Sequence, residues 1–167
     1  MRTGICTTDF EVTDRLPLPA DRLFGRIREF GFGCVQFAFS SIAESEFSPT
    51  GQIEIPDRIP TAALDAAARS ADRFDLPIEV INGTFNMAHP DEDVRREGIK
   101  RFALLTEAAE ILGAKYISLC SGTRFEEHLW TYSPENRSPA AWVDMLDTVK
   151  RAVELAELRL GVVGVGE

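Results

Sequence analysis

The chain has 167 residues, 44% of them hydrophobic and 27% charged, which is the size and balance of one globular domain with room for a core. A net charge of −9 and a pI of about 4.8 disfavour binding to phosphate backbones, so a nucleic-acid partner is not expected. No apolar run approaches the roughly 20 residues that span a bilayer, and the N-terminus enters a strand with no signal-peptide pattern.

The three cysteines, Cys6, Cys34 and Cys120, are odd in number and show no C-x-x-C spacing. Each sits in or at the start of an expected strand, which predicts free thiols in a cytoplasmic protein.

Five buried strands are expected in chain order: Thr3 to Thr7, Cys34 to Phe39, Ile78 to Asn82, Tyr116 to Cys120, and Val162 to Val165. Four amphipathic helices alternate with them. The first begins near Pro19, carries Leu23, Ile27 and Phe30, and ends at Gly31. The second runs from about Pro60 to Phe74 with Leu64, Ala67, Ala71 and Phe74 on one stripe. In the third, Val94, Gly98, Phe102, Leu105, Ala109 and Leu112 make the stripe, Asp91 to Asp93 load the first turn with negative charge, and Gly113 stops it. The fourth opens at Ser138-Pro139, a cap followed by proline at the first helical position, and its stripe is Trp142, Met145, Leu146, Val149, Val153 and Ala156.

Strands alternating with helices predict a parallel α/β sheet, with function in the loops that follow the strands. The connections agree, because helix-to-strand links are tight while Ser40 to Ile59 and Ser121 to Arg137 are long. The turn after the first strand, Thr7-Thr8-Asp9-Phe10-Glu11, has no glycine and cannot cradle a dinucleotide. Gln36, Glu79 and Ser118 inside strands suit a barrel lumen. An open doubly wound sheet also fits this cadence; the expected fold is a (β/α) barrel, here four βα units plus a fifth strand, read as one domain over residues 1–167. A full barrel takes about 250 residues.

Three stretches carry a family likeness: Ile81-Asn82-Gly83-Thr84-Phe85-Asn86-Met87-Ala88-His89-Pro90-Asp91, then Cys120-Ser121-Gly122-Thr123-Arg124, then Trp130 with Ser133-Pro134-Glu135-Asn136 and Ala141-Trp142. Together with Gly4-Ile5-Cys6-Thr7 and Gly31-Phe32-Gly33-Cys34-Val35-Gln36, they resemble the sugar phosphate isomerase/epimerase family, the xylose isomerase-like TIM barrels. The resemblance implies a small carbohydrate substrate and one divalent metal, Mn, Mg, Co or Zn, held by two glutamates, an aspartate and a histidine. It implies proton transfer between adjacent carbons through an enediolate.

Of those ligands only Glu167 has a counterpart in this chain, as metal ligand and catalytic carboxylate. An ungapped count puts Gly166 at that position, and one extra residue near Leu160 restores Glu167. The chain alone is then expected to be inactive. Asn86, His89, Thr123 and Trp130, after the third and fourth strands, are the candidate substrate contacts. For His89 the competing reading is a loop histidine held by the helix cap. For Trp130 and Tyr132 it is anchoring of their own loop. His128 reads as a solvated loop position. Two rival functions stand beside the isomerase: a non-catalytic half-barrel that folds as a homo-oligomer, and an endonuclease-like relative, which the acidic charge disfavours.

Overall fold

The computed structural model describes residues 2–10, 16–45, 47 and 50–160. The expected fifth strand and Glu167 lie outside the described residues. The chain divides into two compact units that interleave along the sequence, Met1–Ser48, Pro56–Asn82 and Ala108–Ser118 forming one, and Pro49–Ile55, Gly83–Glu107 and Leu119–Glu167 the other.

The first unit holds the sheet. Its strands are β1 (Gly4–Cys6), β2 (Cys34–Phe37), β3 (Ile78–Asn82) and β4 (Tyr116–Ser118). All neighbours are parallel and their order is β1-β2-β3-β4. A doubly wound sheet reverses its order at a switch point, whereas strands taken strictly in sequence are those of a barrel. The helices α1 (Ala20–Glu29) and α2 (Thr61–Arg73) follow β1 and β2.

One face of the sheet is dry. Val35, Phe37, Ile78 and Ile81 are at most 2% exposed, as are Leu23, Phe24 and Ile27 of α1. Each such side chain stabilises the fold by about 1.5–3 kcal/mol on burial. The other face carries polar strand residues. Gln36 Nε2 donates to Ser118 Oγ at 3.1 Å, reaching across β3. Gly4, Cys6, Cys34, Gln36, Glu79 and Val80 line an open cavity of about 250 Å³. The three thiols are free, as expected. Glu79 pairs with Lys115 at 3.0 Å and with Arg2 at 3.9 Å.

In this unit two helix stripes differ from expectation. Phe30 is 54% exposed, because α1 ends at Glu29 and leaves its ring at the rim, edge-on to Phe10 at 5.6 Å. On α2 the buried line is Ala63, Ala66, Ala67 and Ser70 rather than Leu64, Ala67, Ala71 and Phe74. Small side chains there let α2 approach α1 closely. Phe74 instead lies over Gly25 of α1, where a Cβ would stand 3.2 Å from the ring.

The second unit holds the segments that follow β2, β3 and β4 in the chain, the first turns of α3 (Glu92–Leu112), and α4 (Pro139–Leu160). The cap expected at Ser138 forms, and Asp91, expected only as first-turn charge, caps α3 as well. Asp93 N–H donates to Asp91 Oδ1 at 2.8 Å, and Ala141 N–H to Ser138 Oγ at 3.1 Å. The stripe of α3 holds at Gly98, Phe102, Leu105 and Ala109. That of α4 turns instead toward Ala141, Thr148, Ala152 and Ala156, leaving Trp142 60% exposed. Thr148 can be buried because its hydroxyl donates to Asp144 O at 2.8 Å within the helix.

Candidate functional site

Asn86 is the centre of the second unit. It is fully buried, and its side chain ties together three segments far apart in sequence. Its Nδ2 donates to Gln52 Oε1 at 2.7 Å, while its Oδ1 accepts from Ala88 N–H at 3.2 Å and Thr123 N–H at 2.8 Å. The backbone repeats the tie: Asn86 N–H donates to Gln52 O at 2.8 Å and Glu54 N–H to Thr84 O at 3.0 Å, around the antiparallel bridge of Ile53 with Phe85. A buried carboxamide left unpaired costs about 1–3 kcal/mol, so this arrangement holds only with all three segments present.

Thr123 extends the tie. It is 3% exposed, and its hydroxyl lies 2.8 Å from Thr131 O and 3.0 Å from Asn136 Oδ1. A hydroxyl has one proton, so it serves these acceptors in alternation. Asn136 Oδ1 also accepts from Arg124 N–H at 2.7 Å. Beside these residues Ala88, Ser121, Gly122, Asn136, Ala141 and Trp142 line a cavity of about 250 Å³.

A charged cluster flanks the cavity. Asp144 accepts Arg124 Nη1 on one carboxylate oxygen at 2.5 Å and faces Arg95 Nη2 with the other at 3.3 Å. Arg124 also donates to Ala88 O at 3.1 Å, and Arg95 to His89 O. His89 is 3% exposed. Its Nδ1 accepts from Asp91 N–H at 3.0 Å, which puts the proton on Nε2, an atom with no partner among the described residues. The capping geometry weighed for His89 from its position is thus present.

Trp130 is placed differently. It is 62% exposed, yet its indole Nε1 donates to Glu54 Oε1 at 2.8 Å, and its backbone N–H to His128 Nδ1 at 3.2 Å. Its neighbour Leu129 is buried and donates from its N–H to Gly51 O at 2.8 Å. Tyr132 is 66% exposed. Burial pushes the Cys120 thiol above its ordinary value; the backbone N–H of Gly122 opposes this and the Glu54 carboxylate adds to it. Cys120 donates to Phe85 O at 3.3 Å.

The structure therefore brings Asn86, Thr123, His89 and Trp130 into one unit. Reading the sequence missed Gln52, Glu54 and Asp144. The signal for the first two was present: in Gly51-Gln52-Ile53-Glu54-Ile55 polar and apolar residues alternate, the period of an extended segment, with Ile53 and Ile55 buried. For Asp144 there was none, since one aspartate on a charged helix looks like any other. Among the described residues no group of three or more His, Cys, Asp or Glu side chains is placed to hold a metal ion. The described residues thus do not fit a metal centre of the kind the resemblance implies.

The strand order and the long segments after the strands define a parallel β/α-barrel protein whose built polar assembly lies in those segments. Residues 24–165 match the family model described as xylose isomerase-like TIM barrel, and the chain belongs to that family. Two solved structures are similar to it. The 3-keto-D-glucoside 4-epimerase YcjR from E. coli aligns with a TM-score of 0.64 at 18% identity, over 98% of this chain and 54% of that one. A provisionally assigned xylose isomerase from Rhodospirillum rubrum ATCC 11170 aligns with a TM-score of 0.63 at 18% identity, over 95% of this chain and 51% of that one. The chain spans about half the length of these proteins. At such identity the likeness carries the fold and not the chemistry. No curated protein matches the chain by sequence.

Proposed function

We propose that this chain serves a carbohydrate isomerase or epimerase that moves a proton between adjacent carbons of a sugar through an enediolate. The observation that carries this reading is the Asn86 tie. In this fold chemistry resides in the segments after the strands, and here those after β2, β3 and β4 are locked together by a fully buried, satisfied carboxamide. Trp130 is the substrate contact in this reading, and Asn86, Thr123 and His89 form the frame behind it. The reaction relies on a divalent metal (Mn, Mg, Co or Zn); Glu167 is one ligand, and the described residues offer no set to complete the site, so the 167 residues alone are inactive.

Incubation with Mn²⁺ and a panel of ketoses in D₂O, followed by NMR, reads deuterium entering at the carbon beside the carbonyl. The assay is run on the 167 residues and on any longer gene product that carries them. Exchange by the longer product and none by the shorter is expected. Exchange by the 167 residues alone would contradict the dependence on further ligands. Its absence from the longer product would remove the isomerase reading.

A second reading, pairing with another copy, is favoured by the half-exposed sheet face around Cys6, Cys34 and Val80, whose lining is mostly apolar. Light scattering on a size-exclusion column tests it, and a stable monomer counts against it.

A further inference from the structure

The Trp130–Glu54 pair is more ordered than an exposed side chain needs to be. An indole left 62% exposed gives up most of what burial would gain, and holding it still costs rotamer freedom. Nevertheless the ring is fixed at both ends. Glu54 Oε1 accepts its N–H at 2.8 Å, and the buried Leu129, bonded to Gly51 O, fixes its backbone. Gly51 is part of that fit: a Cβ there would stand 2.3 Å from Glu127 O. Glu54 is equally well supported, with its N–H on Thr84 O and the buried Ile53 and Ile55 on either side. The fixed object is an aromatic face beside a carboxylate.

A carboxylate offers about four lone-pair sites, and the indole takes one. The remainder accept only from donors. A donor-rich ligand with a flat C–H face, which is what a pyranose ring presents, satisfies both halves. The charge narrows the class further. Glu54 is anionic, and Glu126 and Glu127 are exposed in the same segment as Trp130. Arg124, in the same segment, gives its Nη1 to Asp144 and Ala88 O, and its unpartnered Nε is buried. A phosphate ester would meet repulsion here with no uncommitted guanidinium from Arg124 to offset it.

We propose that Trp130 and Glu54 form a docking platform for one ring of an unphosphorylated sugar, the indole stacking on its C–H face and the carboxylate accepting its hydroxyls. This deepens the carbohydrate reading above and rests on it for the choice of ligand.

The test reads binding, so it is separate from turnover. Saturation-transfer NMR is run on the 167-residue chain with methyl β-D-glucopyranoside, D-fructose and D-fructose 6-phosphate. Trp142→Phe leaves Trp130 as the single tryptophan, whose fluorescence follows the same titrations. Transfer from at least one neutral sugar, with a Trp130 fluorescence change and weaker transfer from the phosphate, is expected. Trp130→Ala should abolish it. Glu54→Gln keeps an oxygen for the indole N–H and removes the charge, and should weaken the neutral sugar by about tenfold while narrowing its advantage over the phosphate. Urea unfolding of Glu54→Gln and Trp130→Ala confirms that both still fold; should Trp130→Ala fail, Trp130→Leu replaces it. No transfer from either neutral sugar, tighter binding of the phosphate, or undiminished binding by the Trp130 variant overturns the platform. Failed turnover with intact sugar binding would remove only the isomerase reading.

Discussion

A Cβ placed on Gly122 would stand 2.1 Å from the Oδ1 of Asn86. Gly122 also has a φ of +78°, a conformation that a side chain disfavours. The absent side chain is the space the carboxamide occupies, and the carboxamide then binds the N–H of the next residue, Thr123, at 2.8 Å.

Gly122→Ala is therefore expected to lower unfolding free energy by about 2–4 kcal/mol in urea titrations. Asn86→Ala should cost about as much, since it strands the N–H groups of Ala88 and Thr123. The two should not add. With the carboxamide gone, Gly122→Ala loses its shortest clash and keeps its backbone strain of about 1–2 kcal/mol together with the close approach to Met87 N at 2.8 Å. Full additivity would show that the two residues do not share this space.

Gly98 sits inside α3, where alanine would ordinarily add about 1 kcal/mol of helix stability. Here its Cβ would fall 2.1 Å from Cδ2 of Phe85. Overpacking of that kind costs about 1–3 kcal/mol, so the contact should win and Gly98→Ala should destabilise. Phe85→Leu in the same chain should return part of the loss. A Tm that rises in Gly98→Ala alone would contradict the packing.

Asp144 faces two guanidiniums whose side chains are only 10% and 11% exposed, while its own is 26% exposed. Removing the carboxylate leaves Arg95 and Arg124 without their shared anion. Asp144→Asn is expected to cost about 2 kcal/mol, less than a fully buried pair because of the residual exposure. The loss should change little between low and high salt, because ion pairs this sheltered are weakly screened. A cost that vanishes in salt would make the cluster a surface one.

Burial raises the Cys120 thiol in the folded chain, so folding favours its protonated form. Its contribution is fully present below the unfolded value of about 8.5 and is lost as pH rises from there toward the folded value. Cys120→Ser keeps a donor for Phe85 O without that titration. Stability of the wild type should fall more steeply than that of Cys120→Ser above about pH 8.5. Parallel curves would mean that the thiol is not held from water.

The sequence disclosed what repeats or leaves a local trace. Alternating strand and helix patterns gave the parallel sheet, and β3 was read at its observed bounds, Ile78–Asn82. The cap at Ser138 was legible because a cap acts on N–H groups two or three residues away, whereas Asp91 read only as first-turn negative charge. The stripes of α2 and α4 were misplaced, because small residues such as Ala63 and Ala152 take the buried positions, which side-chain hydrophobicity does not report.

For the candidate site, residue type and position pointed to Asn86, His89, Thr123 and Trp130. What they do was not in the sequence. Asn86 meets Gln52 across 34 residues, and Trp130 meets Glu54 across 76. Contacts so distant in sequence leave no periodicity to read. The chain by itself determined a run of parallel βα units and the segments in which function would lie, because burial patterns and caps are local physics. Only the tertiary structure decided that one carboxamide locks three of those segments together and that a carboxylate holds an exposed indole. A polar group taken from water must find its partner wherever the fold has placed one.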